Sequence, residues 1–220
     1  QAASQVIEDI GRLKPVSRRG SPGRHERRRE RGASRLARGK GGRMALTATL
    51  YHLHVNLSDV DRGVYEALEL RIARHPSESM RFMLTRTLAY CLCYAEGIAF
   101  SKDGIATTDE PPIAVHDPTG LLLEWIDVGS PSAERLHKAT KAARRVSLFT
   151  STPLTQLRRD AANRAIHRAE TIAVWQLEPA FLDALEAKID RRCALELVRT
   201  DAHLYVNVGG DAIEGAIGRG

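Results

Sequence analysis

The first periodic pattern along the chain predicts a β-hairpin. From Leu46 to Leu57, apolar residues occupy every second position and histidine and asparagine occupy the other face, as in a half-buried strand. Residues 58–63 then carry a turn signal, and alternation resumes from Leu68 to Ile72. Arg74-His75-Pro76 ends the second strand, because proline cannot donate a hydrogen bond to a neighbouring strand.

A helical period follows the hairpin. From Met80 to Ala95 the apolar residues are three and four positions apart, which predicts an amphipathic helix that Gly97 ends. Pro76 suits the first position of this helix, and Glu78 suits its positive amino-terminal end.

The rest of the chain alternates between strand and helix patterns. The predicted strands are 98–100, 113–116, 121–128, 146–150 and 171–177, then a hairpin of 194–198 and 204–208, and a last strand after Gly209-Gly210. The predicted helices are one that begins at Ser130-Pro131, one from Leu154 to Arg168 and one that begins near Pro179. Because residues 121–128 are almost continuously apolar, they predict a strand covered on both faces. This order predicts an α/β fold in which helices flank a mixed β-sheet.

Charge divides the chain into two parts. The 220 residues include 33 Lys+Arg and 27 Asp+Glu, for a net charge of +6. Residues 1–43 hold 13 of the basic and 4 of the acidic residues, or +9, which leaves 20 basic and 23 acidic residues, or −3, for residues 44–220. We predict one α/β domain over residues 44–220 and a disordered leader rich in arginine, glycine and serine before it. A nucleic-acid arm, a targeting peptide and sequence upstream of a native start at Met44 are three open interpretations of the leader.

Several classes of protein are excluded by the sequence. No run approaches the roughly 18 apolar residues of a membrane span, so we expect no membrane partner. The three cysteines are an odd number without metal-site spacing, so we expect neither a disulfide-linked partner nor a zinc ribbon. A reducing cytoplasm is the default location for such a protein.

A set of acidic residues at the ends of elements is the pattern with chemical potential. Asp109 and Glu110 lie on a turn before a strand, Asp127 lies near the end of the next strand, and Glu78 opens the first helix. If the fold brings them together, their oxygens are of the kind that Mg²⁺ binds, and Mg²⁺ in turn binds phosphate. A solvated turn is the competing interpretation of Asp109 and Glu110, whereas Asp127 in an apolar strand must be paired, exposed or metal-bound.

The chain also resembles a known family through a series of short motifs. They are Ala73-Arg74-His75-Pro76-Ser77-Glu78, Asp109-Glu110-Pro111, Trp125-Ile126-Asp127-Val128-Gly129, and then Pro131, Arg135 and Lys138-Ala139. In this order and spacing they resemble the YaeQ family of bacterial proteins, from Met44 to about Val208. The resemblance implies a variant of the PD-(D/E)XK nuclease fold, whose core order α-β-β-β-α-β agrees with the order predicted for residues 76–150.

The resemblance implies roles for the acids. Enzymes of that fold bind Mg²⁺ through an acid near the start of one strand and a second acid on the next strand, and an acid on the first helix often assists. Carried onto this chain, the metal ligands are Asp109, with Glu110 adjacent, and Asp127, while Glu78 is the helix acid. Glu124 is an alternative second acid, but strict alternation along the strand places it on the face opposite to Asp127.

The catalytic lysine of that fold has no counterpart at its usual place. Two residues after Asp127 the sequence has Gly129 where the fold pattern has lysine. We hypothesise that the positive charge comes instead from the following helix, where Arg135 and Lys138 are three residues apart and share one face. A solvated helix surface is the competing interpretation of these two residues.

These considerations give two functional hypotheses. The first is a Mg²⁺-dependent nuclease or phosphodiesterase that acts on nucleic acid, and the second is a non-catalytic, nuclease-like module that binds nucleic acid or a protein partner. A lysine amine beside the acids favours catalysis, whereas an empty or apolar site favours binding. The mildly acidic body also argues against strong non-specific affinity for DNA.

Overall fold

A ten-stranded β-sheet is the framework of the protein. The computed structural model describes residues 48–101, 109–153, 155, 157, 159 and 166–219. The strands are β1 (Thr49–Asp59), β2 (Val64–Arg74), β3 (Ile98–Phe100), β4 (Ile113–His116), β5 (Leu122–Val128), β6 (Arg145–Thr150), β7 (Ile172–Leu177), β8 (Arg192–Thr200), β9 (His203–Val208) and β10 (Asp211–Arg219). The helices are α1 (Met80–Leu92), α2 (Ala133–Ala142) and α3 (Pro179–Glu186), and Ala169–Thr171 form a short 3-10 helix.

The strands lie in the order β2-β1-β8-β9-β10-β7-β6-β5-β4-β3. Parallel pairing joins β5 to β6, β6 to β7 and β1 to β8, whereas the other neighbours are antiparallel. The predicted mixed sheet flanked by helices is therefore confirmed.

Helices cover both faces of the sheet around β5 and β6. On one face α1 and α3 contribute to a core cluster that includes Ile126 and Phe149. On the other face Leu136 and Ala139 of α2 pack in a second cluster with Trp125. Because both faces are covered here, β5 is apolar almost throughout, as the sequence predicted.

Two predicted helices differ from the observed ones. The first helix begins after Ser79, whose hydroxyl accepts a hydrogen bond from the Phe82 amide at 3.1 Å, and not at Pro76. Of the helix predicted from Leu154 to Arg168, residues 155, 157 and 159 are helical, whereas 166–168 are not, and Arg168 has a left-handed φ of 47°. The other residues of that helix, and the whole 1–43 leader, lie outside the described residues.

The structure also bears on the excluded classes. Among the residues that the structure describes, no helix has the length and apolar character needed to cross a membrane. The thiols of Cys91, Cys93 and Cys193 are all free.

Candidate functional site

The carboxyl end of β5 meets the helix α2 at a cluster of charged side chains. Asp127 lies at the end of β5, and Arg135 and Lys138 lie on α2, whose first turn is capped by the Ser132 hydroxyl. Asp109 and Glu110 lie just before β4, which pairs antiparallel with β5. The fold thus brings five of the six predicted site residues to one edge of the sheet. We call these five residues the charged cluster.

Asp127 is buried, and both of its carboxylate oxygens accept hydrogen bonds. Its Oδ2 accepts hydrogen bonds from Arg135 Nε at 2.6 Å and from Trp125 Nε1 at 3.1 Å, and its Oδ1 accepts one from the Val128 amide at 3.1 Å. The Asp127 side chain is only 4% exposed, and the Arg135 guanidinium also lies 5.4 Å from the centroid of the Trp125 ring. The cost of a carboxylate in an apolar strand is therefore offset by an ion pair and two further hydrogen bonds.

Asp109 forms the solvent-facing half of the charged cluster. Lys138 Nζ lies 2.5 Å from Asp109 Oδ1, with 46% and 83% of the two side chains exposed. The hydrogen bond from Lys138 and its positive charge lower the pKa of the Asp109 carboxyl. Arg135 Nη2 also donates to the Glu110 backbone oxygen at 2.8 Å, so Arg135 ties the loop before β4 to β5.

The carboxylates of Glu110 and Glu78 point to other partners. Glu110 Oε2 lies 3.5 Å from the Ser101 hydroxyl, outside the ion pairs of the cluster. Glu78 is buried at the β2–α1 junction, where both of its oxygens accept hydrogen bonds from Arg86, at 3.0 and 3.1 Å. Its Oε2 also accepts one from the His75 amide at 3.1 Å. These contacts hold the turn before α1 in place.

Gly129 is accounted for by the backbone. Its φ is +84°, in the left-handed region that side chains rarely adopt, and its amide donates to the Phe149 oxygen at 2.8 Å. A Cβ at this position would lie 3.2 Å from Phe82 Cε2. A lysine at position 129 is therefore disfavoured by conformation and by space.

Glu124 lies on the opposite face of β5 from Asp127, as alternation predicted. Its carboxylate accepts hydrogen bonds from the Ser147 hydroxyl at 2.7 Å and from Arg145 Nε at 3.2 Å. Sequence reasoning missed the role of Trp125 as a hydrogen-bond donor to Asp127. The sequence did carry a signal for this contact, because Trp125 and Asp127 are two residues apart and such residues share a face of a strand.

The hydrogen bonds of Asp127 bear on whether the charged cluster can hold Mg²⁺. A magnesium site needs carboxylate oxygens that face the ion, whereas both oxygens of Asp127 already accept hydrogen bonds from N–H groups. Within the described ranges, no three histidine, cysteine, aspartate or glutamate side chains are grouped in a way that could hold a metal ion. The assignment of Asp109, Glu110 and Asp127 as metal ligands stays a prediction.

Comparison with known proteins identifies relatives of the chain. The family model described as "YaeQ protein" matches residues 44–216. The "Uncharacterized protein YaeQ" of Escherichia coli (strain K12) is 32% identical over 166 residues, which cover 74% of this chain and 91% of that protein. Its counterpart from Salmonella typhi is 31% identical over the same length, with the same coverage.

Two crystal structures are similar to the fold. The YaeQ protein from Pseudomonas syringae superimposes with a TM-score of 0.72 and 30% identity, covering 78% of this chain and 95% of that one. The YaeQ protein from Xanthomonas axonopodis pv. citri also has a TM-score of 0.72, with 27% identity, and the match covers 79% of this chain and 98% of that one. The family model and the curated relatives agree, and the chain belongs to the YaeQ family.

Proposed function

We propose that this chain is a nuclease-like module that binds the phosphate backbone of nucleic acid at the charged cluster without cleaving it. The order α1-β3-β4-β5-α2-β6 supports a relationship to the PD-(D/E)XK core. The observation that carries the proposal is the hydrogen bonding of Asp127. Its two carboxylate oxygens accept hydrogen bonds from Arg135, Trp125 and the Val128 amide. A metal ion at Asp127 Oδ2 would compete with the buried ion pair to Arg135, and displacement of that pair would leave a guanidinium without its counter-charge.

Phosphate binding requires a much smaller rearrangement. The Lys138–Asp109 pair is exposed, and exposed ion pairs contribute little to stability, so Lys138 can exchange Asp109 for a phosphate oxygen at little cost. Arg135 stays fixed by Asp127 and keeps α2 in place beside the strand end. The cluster therefore offers one mobile cation on a rigid support.

The matched control for this proposal is an ion pair at another site. Lys188 lies 2.8 Å from Asp211, and their side chains are 45% and 57% exposed, close to the geometry of the Lys138–Asp109 pair. Lys138→Gln and Lys188→Gln remove the same charge from the same kind of environment. Binding of fluorescently labelled single- and double-stranded oligonucleotides is measured by anisotropy at low salt for both variants of the full chain.

We expect Lys138→Gln to weaken oligonucleotide binding several-fold, whereas Lys188→Gln should bind like the unchanged protein. Equal affinities for the two variants would contradict binding at the charged cluster. The same samples, incubated with millimolar Mg²⁺, should leave the oligonucleotides intact.

One observation favours the Mg²⁺-dependent phosphodiesterase as a second candidate. Lys138 Nζ lies 2.5 Å from Asp109 Oδ1, so an amine stands beside one of the predicted acids. Position 129, where the PD-(D/E)XK pattern has its lysine, is glycine. Cleavage that needs Mg²⁺ and disappears in the Asp109→Asn variant would replace the binding proposal with this candidate. The exposed Asp109 is suited to this test, because its substitution leaves the buried Asp127–Arg135 pair intact.

A further inference from the structure

A cavity of about 310 Å³ lies on the face of the sheet opposite to α2, beside the carboxyl end of α1. Four arginines line it: Arg62 after β1, Arg145 on β6, Arg199 on β8 and Arg219 at the end of β10. None of them belongs to the charged cluster. Four segments distant in sequence thus contribute arginines to the lining of one small volume.

Two of these arginines are held at a shared buried acid. Arg199 Nη1 and Arg62 Nη1 lie 3.4 and 3.7 Å from the same oxygen of Asp59, whose side chain is 0% exposed. Arg62 also donates to the Leu92 and Tyr94 backbone oxygens, at 2.5 and 2.6 Å. The protein itself therefore fixes both guanidiniums in place.

The other wall of the cavity is built around Trp175. The guanidinium carbons of Arg199 and Arg219 lie 4.8 and 5.3 Å from the centroid of its ring. Such cation–π contacts orient the groups without neutralising their charge. Among the described residues, Arg219 has no acidic partner.

Positive charge is in excess around the cavity. The four arginines face three carboxylates, because Glu124 pairs with Arg145, and Asp59 and Asp61 pair with Arg199. The Arg199 side chain is only 10% exposed, and its Nε is buried without a hydrogen bond, although Asp61 Oδ2 lies 3.4 Å away. A buried donor without an acceptor, beside excess positive charge, suits the cavity to an anionic ligand.

We propose that this cavity binds a small phosphomonoester. Guanidinium groups match the oxygens of phosphate, and a tetrahedral dianion can accept hydrogen bonds from arginines that converge from several elements. The volume is at the lower limit of small-molecule sites, which fits a sugar phosphate better than a polymer. The site shares no residue with the charged cluster and does not depend on the proposed function.

Calorimetric titration of the full chain tests this assignment with ribose 5-phosphate as the probe. Inorganic phosphate, ribose and succinate serve as comparison ligands. Arg219→Gln is the informative variant, because Arg219 is exposed and supports no buried acid. Arg192→Gln is the matched control, since Arg192 is an exposed arginine at the far end of β8 from Arg199.

We expect saturable binding of ribose 5-phosphate that is about tenfold weaker in Arg219→Gln, an effect of one charge-assisted contact, and unchanged in Arg192→Gln. Inorganic phosphate should compete more weakly, because it fills less of the cavity, and ribose should not bind. The absence of saturable binding, an equal loss in both variants or tighter binding of succinate would each overturn the proposal. Thermal unfolding of each variant confirms that it is folded.

Discussion

The φ angle of Gly129 restricts which residues can occupy the turn after β5. The turn after β5 needs a φ of +84° at this residue, because the amide of Gly129 donates to β6 while the chain changes direction toward α2. A side chain at this position would be strained, and the positive charge paired with Asp127 is that of Arg135 on α2. The turn alone accounts for a glycine at this position.

Substitution of Gly129 by alanine tests this explanation. We expect Gly129→Ala to lower the free energy of unfolding by about 1–2 kcal/mol for the left-handed φ, with a further loss from the approach to Phe82. Gly120→Ala is the matched control, because Gly120 has a φ of +87° and a Cβ added there would meet nothing within 4 Å. Urea denaturation of both variants measures the difference. A loss at Gly129 no larger than that at Gly120 would show that the approach to Phe82 is relieved without cost.

At the scale of elements, Glu78 ties the end of β2 to the start of α1. Its carboxylate accepts hydrogen bonds from the His75 amide and from Arg86 on the helix, and both charged side chains are nearly inaccessible. Arg86 in turn donates to the Ala73 oxygen on β2. The geometry favours a role in joining two elements over the catalytic role that the resemblance implied.

Removal of this carboxylate separates the two roles. We expect Glu78→Gln to destabilise the protein by about 3–5 kcal/mol, because Arg86 would stay buried without its counter-charge. The exposed Glu66 on β2 provides the control substitution Glu66→Gln, which should change stability by less than about 0.5 kcal/mol. Denaturant unfolding gives both values. Unchanged stability together with lost activity or binding would instead support the catalytic role.

Element types were predictable because each is encoded within a few residues. The hairpin β1–β2 alternates along its length, and β5 has the pattern of a doubly covered strand. The start of α1 was misplaced for a local reason, since both Pro76 and Ser79 carry helix-start signals and the hydroxyl of Ser79 makes the actual cap. The proximity of Asp127 to Arg135 and Lys138 followed from short spacing along the chain. The pairing of Arg135 with Asp127 and of Lys138 with Asp109 did not, because it depends on side-chain geometry.

At the scale of the whole molecule, the order of the strands was not predictable from the sequence. The carboxyl-terminal strands β8, β9 and β10 lie between β1 and β7, and β1 pairs in parallel with β8, which is distant along the chain. No local pattern specifies such contacts. The arginine-lined cavity escaped sequence reasoning for the same reason, since Arg62, Arg145, Arg199 and Arg219 belong to no common motif.

Charge distribution over the whole chain gives a last prediction about nucleic-acid binding. Residues 1–43 carry +9 and residues 44–220 carry −3, so non-specific attraction to phosphates should come from the leader and local recognition from Lys138. Replacing Arg27, Arg28 and Arg29 together with glutamine should reduce the slope of log affinity against log salt by up to about 2.7 on duplex DNA, at about 0.9 for each phosphate that is no longer neutralised. Lys138→Gln should reduce it by about 0.9.

The two effects should add where the substituted residues neutralise different phosphates. Anisotropy titrations over a series of salt concentrations measure the slopes for the triple variant, for Lys138→Gln and for their combination. An unchanged slope in the triple variant would mean that the leader makes no phosphate contacts. Any remaining attraction would then have to come from a body that is negative overall, which confines the binding surface to clusters such as that of Arg135 and Lys138.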